Sequence, residues 1–244
     1  MTTQPIHPLS ALAPRWSRPV SRRAVAGARA LFALPGVYRP QADTRMLLDA
    51  LVAEAPGPAE RVLEIGTGTG AVALAAARLG CAVTAVDVSW AAVLSARLNA
   101  RRQRLPVDVR HGDFAARTGG RRFDLVVANP PYVPSPLPEP PGHGAARAWE
   151  GGGDGRAVVD RICALARRLL NPGGRLLMVH SALSGPDATV EALGREGMRA
   201  EVVGVRHVPW GPVLRSRRDW LETHGLAEPG SATERLVVIR GRRA

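Results

Sequence analysis

Asn129-Pro130-Pro131-Tyr132 follows directly on the apolar run Leu125-Val126-Val127-Ala128. A buried strand ending in this tetrapeptide delivers a side-chain amide, a backbone corner without N–H donors and an aromatic ring to one place. The Asn129 side-chain oxygen and the Pro130 carbonyl can each accept one N–H of a planar NH2 group. Two successive prolines present no competing donor, and their fixed φ stiffens the corner. Tyr132 can stack on the planar group, a contact of about 0.5–1.5 kcal/mol in aromatic pairs. An amide or exocyclic amine nitrogen is a poor nucleophile because its lone pair is delocalised. Holding it in line with an electrophile, rather than applying a strong base, is then the main source of rate. This is the chemistry of group transfer to nitrogen.

A second constellation supplies the donor. Glu64-Ile65-Gly66-Thr67-Gly68-Thr69-Gly70 closes one apolar stretch and opens an Ala-rich one. Gly66, Gly68 and Gly70 permit a tight turn and close backbone approach to a ligand, with G-x-G-x-G spacing in place of the dinucleotide G-x-G-x-x-G. Glu64 sets an anion before the turn, which suits an ammonium better than a pyrophosphate. Asp87 lies at the end of the next apolar stretch, where a carboxylate can accept from both hydroxyls of a ribose. Asp113 follows a third, in His111-Gly112-Asp113-Phe114, placed to accept from an adenine amine with Phe114 against the ring. Ammonium, ribose diol and adenine amine together describe S-adenosyl-L-methionine.

Strands alternating with helices must position these residues. The pattern predicts strands at 61–65, 82–86, 107–110, 124–128 and 175–180, and two more near 201–208 and 235–240. Helices are expected over 45–54, 71–79, 89–101 with Ser89 as N-cap, 156–170, 187–197 and 216–224. This order specifies an α/β fold with three αβα layers, Rossmann-like, around a mostly parallel seven-stranded sheet. The Pro- and Gly-rich residues 133–145 read as a surface loop beside the tetrapeptide.

Composition narrows the class. The chain has 244 residues and 45% apolar content, without a run of ~18 apolar residues that a membrane span requires, so a cytoplasmic, non-membrane protein is expected. Cys81 and Cys163 lie far apart without C-x-x-C spacing, which predicts free thiols. No His/Cys pattern suggests a metal site. The formal charge is +12, carried by 33 basic residues that are all arginine, a pattern of GC-rich coding. Half the excess falls in residues 1–42, where six arginines face no acid. Residues 1–35 are therefore read as a separate Arg-rich segment, partly disordered or helical over 21–34, and a possible contact for RNA or the ribosome; residues 36–244 form the domain.

Three segments carry a resemblance: Val37-Tyr38-Arg39-Pro40-Gln41-Ala42-Asp43-Thr44, the Asn129–Tyr132 tetrapeptide, and Trp149-Glu150-Gly151-Gly152-Gly153-Asp154-Gly155-Arg156. Together they resemble class I S-adenosylmethionine-dependent methyltransferases, and within them the short HemK/PrmC-type glutamine N5-methyltransferases. The resemblance implies a class I methyltransferase fold, Thr44 near the methionine end of the cofactor, and the GGQ glutamine of a peptide-chain release factor as acceptor. It also implies a small activator subunit for some short members. Arg39 stands where the family often has an acid. A nucleic-acid or small-molecule amine methyltransferase with the same tetrapeptide is the alternative, and a non-catalytic cofactor-binding scaffold a third reading.

Overall fold

A computed structural model describes residues 30–244 of the chain. The Arg-rich start, with the RNA contact expected of it, lies outside the described residues up to position 29. Residues 30–34 are not helical as expected. They run as irregular chain along a later helix, where Phe32 N–H and C=O bond the Asn99 amide (2.9 and 2.8 Å) and Leu34 N–H bonds the Ser95 hydroxyl (3.1 Å).

Helix α1 (Ala42–Ala53) comes first, followed by β1 (Arg61–Ile65), α2 (Ala71–Arg78), β2 (Ala82–Asp87), α3 (Trp90–Gln103), β3 (Val107–His111), α4 (Phe114–Arg117) and β4 (Phe123–Ala128). Then come α5 (Ala157–Leu169), β5 (Leu170–Ser181), α6 (Pro186–Arg195), β6 (Met198–Pro209), α7 (Pro212–Ser216), α8 (Arg218–Thr223) and β7 (Thr233–Arg243). Ser89 caps α3 as expected, its side chain accepting from Ala92 N–H. The helix expected over 216–224 is present as α8, preceded by the unexpected short α7, and α4 is a four-residue helix that hydrophobic periodicity could not reveal because it spans about one turn.

All seven strands form one sheet in the order β3-β2-β1-β4-β5-β7-β6. β1 to β5 pair in parallel, while β7 runs antiparallel between β5 and β6. Helices pack on the sheet, and Leu125, Val126 and Val127 of β4 are completely buried, as central parallel strands must be. Each such side chain contributes about 1.5–3 kcal/mol of burial.

The topology fixes the site. Strand order reverses between β1 and β4, whose ends pair as Ile65↔Ala128. In open α/β sheets the crevice at such a switch point, outside the carboxyl ends of the strands, receives ligands. The glycine turn and the Asn-Pro-Pro-Tyr corner leave these two adjacent strands side by side.

Candidate active site

A cleft of about 980 Å3 opens at this switch point. Thr44, Glu64, Gly66, Gly68, Asp87, Asp113, Phe114, Asn129, Pro130 and Tyr132 all line it. Gly70 of the expected set is not on its wall. It packs against α3: with φ +83° it caps α2, and a Cβ there would lie 3.2 Å from the Cβ of Ala96. Gly66 and Gly68 also have positive φ, and a Cβ on Gly68 would meet the Tyr38 carbonyl at 3.7 Å.

The tetrapeptide is organised by a residue that the sequence reading did not select. Asp43, in the first turn of α1, is 3% exposed. Its Oδ2 accepts from Asn129 Nδ2 (2.9 Å), the Tyr38 hydroxyl (2.9 Å) and the Tyr132 hydroxyl (3.2 Å). Its Oδ1 accepts from Thr44 N–H (2.6 Å) and the Thr44 hydroxyl (3.3 Å). A carboxylate only accepts, so Asp43 decides which end of the Asn129 amide it faces: the NH2 turns to Asp43 and the oxygen away from it. Burial, with the Asp43 charge second, raises the Tyr132 hydroxyl pKa well above its ordinary value and keeps it a donor. The signal for Asp43 was present in the V-Y-x-P-x-x-D-T segment, where the reading favoured the neighbouring Thr44.

Trp149–Gly155 clamps the same corner through its backbone. Val133 N–H bonds the Trp149 carbonyl (2.8 Å), and Gly151 N–H bonds the Val133 carbonyl (2.9 Å). The Ser184 hydroxyl donates to the Tyr132 carbonyl at 2.7 Å. A Cβ on Gly155, at φ +75°, would collide with that carbonyl and with Ser184 Oγ. Buried Glu150 is paired with Arg217, whose guanidinium also donates to the Pro134 carbonyl (2.9 Å). Glycines are needed here because two backbones meet where a side chain would stand.

On the other side of the cleft, the three acids differ in environment. Glu64 is 4% exposed and accepts from the Thr67 hydroxyl and from Ala73 N–H (3.0 Å). Burial pushes its pKa up to about 8 despite those bonds. Asp87 accepts from Gly68 N–H and Ser89 N–H, both at 2.9 Å, and burial raises its carboxyl as well. It thus braces the glycine turn while keeping further lone pairs. Asp113 caps α4 through Ala115 N–H (3.0 Å) and takes a two-pronged contact from Arg161 (2.5 and 2.7 Å). Burial opposes ionisation of Asp113, but Arg161 outweighs it and holds the carboxyl below its usual range. The same guanidinium lies 5.0 Å from the centroid of the Phe114 ring. Arg161 therefore occupies both residues assigned to the adenine end, a contact that no motif announced.

Both cysteines are buried free thiols. Among the described residues no group of His, Cys, Asp and Glu could hold a metal ion, and no helix is long and apolar enough to cross a membrane.

Sheet order and cleft define a class I methyltransferase fold. The methyltransferase small domain family matches residues 29–136. A Methanocaldococcus jannaschii protein, provisionally named a protein N5-glutamine methyltransferase, is 32% identical over 181 residues, covering 74% of this chain and 90% of its own. The release factor glutamine methyltransferase of Mycolicibacterium smegmatis is 39% identical over 181 residues, 71% of this chain and 63% of its own length. The chain thus spans a little under two thirds of that longer relative. In the Mtq2–Trm112 complex of E. cuniculi, a solved chain shares the fold with a TM-score of 0.58 at 23% identity, over 86% of this chain and 99% of that one. The chain belongs to the HemK/PrmC family of protein glutamine N5-methyltransferases.

Proposed function

We propose that the protein transfers a methyl group from S-adenosyl-L-methionine to the side-chain amide of a glutamine, that of the GGQ motif in a peptide-chain release factor. The observation that carries this is the Asn129 amide, oriented by Asp43 at a corner that shares one cleft with the glycine turn. The cofactor fits this cleft: the glycine turn is open to close approach, and Glu64 and Asp87 place carboxylates at its two sides. When bound, the cofactor supplies a methyl group on a sulfonium.

The chain's own residues do the rest. Asn129 Oδ1 and the Pro130 carbonyl accept the two N–H bonds of the substrate amide and aim its lone pair. As the nitrogen becomes positive these bonds strengthen, so they favour the transition state over the ground state. Tyr132, its hydroxyl held by Asp43, supports the planar group. Thr44 lies toward the methionine end, Glu64 meets the ammonium, Asp87 the ribose, and Asp113 with Phe114 the adenine, where Arg161 must share Asp113 or move aside. The structural relative whose Mtq2 is held by Trm112 acts on the eRF1 termination factor, which supports testing a small activator subunit here.

The test is transfer of labelled methyl to purified release factor and to a GGQ peptide, with ribosomal RNA as the competing acceptor. Label on the glutamine, lost when that glutamine is replaced, is the expected result. Label on RNA alone would overturn the assignment in favour of a nucleic-acid amine methyltransferase.

A further inference from the structure

The cleft wall formed by β7 carries a carboxylate that neither the cofactor residues nor Asn129 account for. Glu234 is the second residue of β7, which begins where the parallel strands end. Ser181, the last residue of β5, pairs with Leu236, so Glu234 lies just beyond the end of β5 and lines the cleft shared with Asn129 and Tyr132. Its Oε2 is buried without a hydrogen-bond partner.

The other acids of the cleft are committed. Asp43 receives five bonds on two oxygens, Asp87 braces the glycine turn, Asp113 is gripped by Arg161, and Glu64 is tied to Thr67 and Ala73. A buried carboxylate oxygen with no donor is costly to keep unless a donor arrives. The reaction brings one, because an amide nitrogen that gains a carbon substituent must shed a proton.

We propose that Glu234 is the proton acceptor of the transfer. This rests on the function proposed above. The N–C bond forms as the carbon–sulfur bond breaks with its electron pair remaining on sulfur. One of the two N–H bonds then breaks as its hydrogen leaves the Asn129 or Pro130 acceptor, its pair returns to nitrogen, and the proton passes to Glu234 Oε2, to be released to solvent when product leaves. The net change is N–H to N–CH3 with one proton lost, so no further reactant is needed.

The surroundings tune Glu234 for this. Burial pushes its pKa up to about 6, the Ser181 side chain draws it down, and the Asp43 charge raises it. The Tyr38 and Tyr132 hydroxyls also sense its charge. On β6 its register neighbour is Val208, and the next pair is His207↔Arg235. A base of this strength is ionised above pH 6, so transfer is lost as pH falls through that value, and its basicity is well matched to a neutral cytosol.

The experiment is methyl transfer to the GGQ peptide at saturating cofactor from pH 5 to 8.5. Wild type should show a rising limb near pH 6. Glu234→Gln should lower kcat about 10²-fold, the low end for general base catalysis, and flatten the limb with cofactor affinity unchanged. Glu234→Ala should regain activity with added formate, and Glu234→Asp should fall between, so the proposal does not depend on one variant folding. Wild-type kcat and an unchanged limb in Glu234→Gln overturn the proposal alone, assigning the proton to water. No transfer by wild type to any glutamine peptide overturns the proposed function and this role with it.

Discussion

Asp43→Asn is the most informative perturbation because it changes hydrogen-bond character at almost constant shape. Asp43 now serves two groups of donors, three on Oδ2 and two on Oδ1. An asparagine must place an NH2 against one group. If its NH2 faces Tyr38, Tyr132 and Asn129, the Asn129 amide flips to offer its oxygen, and its own NH2 then points toward the substrate NH2. If the NH2 faces Thr44 instead, the backbone N–H at the start of α1 loses its acceptor. Hydrogen bonds to a charged group are worth about 1.5–3 kcal/mol each, and loss of one transition-state partner about 2.7–4 kcal/mol, or 10²–10³ in kcat. The expected result is a kcat lower by about 10²–10³ at saturating cofactor, with the cofactor Kd within about threefold of wild type. Single-turnover transfer to the GGQ peptide measures the first and calorimetry the second, with Tm recorded in parallel. Asp43→Ala removes the acceptor in either case, and an Ala variant whose Tm falls while its kcat stays within twofold would refute the orienting role and leave Asp43 a purely structural acid.

Three further outcomes follow from the same geometry. Asn129→Ala should abolish detectable transfer while cofactor binding stays within severalfold of wild type, read by activity and calorimetry on one preparation; full activity would remove Asn129 from the mechanism. Glu64, with its pKa near 8 before a cation binds, should release a proton as the ammonium arrives. Near pH 7, calorimetry in buffers of different ionisation enthalpy should show more protons released by wild type than by Glu64→Gln, and affinity should rise with pH toward 8. The sign for folding is opposite: a carboxyl raised from its unfolded value of 4.5 favours the fold most at low pH and progressively less as pH climbs toward 8. Equal proton counts in the two proteins would contradict the assignment. Gly155→Ala should displace the Tyr132 carbonyl or the Ser184 side chain, at a cost of about 1–3 kcal/mol for a strained, overpacked site; chemical denaturation checks the stability loss, and a wild-type midpoint would show that the clamp yields freely.

Local chemistry was legible wherever a short segment does its own work. The glycine turn, the donor-free proline corner and the Ser89 cap each need particular residue types at adjacent positions, so their places and the β1–β5 alternation could be read directly. The reading was weaker where several segments meet. Asp113 and Phe114 stand where expected at the end of β3, but Arg161, which grips the first and covers the second, comes from a different helix and follows no pattern. The helix expected over Ser216–His224 stands as α8, but the short α7 before it went unread because periodicity over so short a stretch does not reveal a single turn.

From the sequence alone came the αβα class, the amide-holding corner and the acids at successive strand ends, since periodicity and turn chemistry are written in neighbouring residues. The tertiary structure decided which carboxylates act on that corner. Asp43 reaches Asn129 from α1, and Glu234 arrives on β7, an antiparallel strand inserted between β5 and β6. Glu234 is not marked by its own neighbours, and the segment that contains Asp43 does not say which distant groups it holds. Their roles depend on burial, on which donors are already taken and on strand order, all of which exist only once distant parts of the chain are packed together.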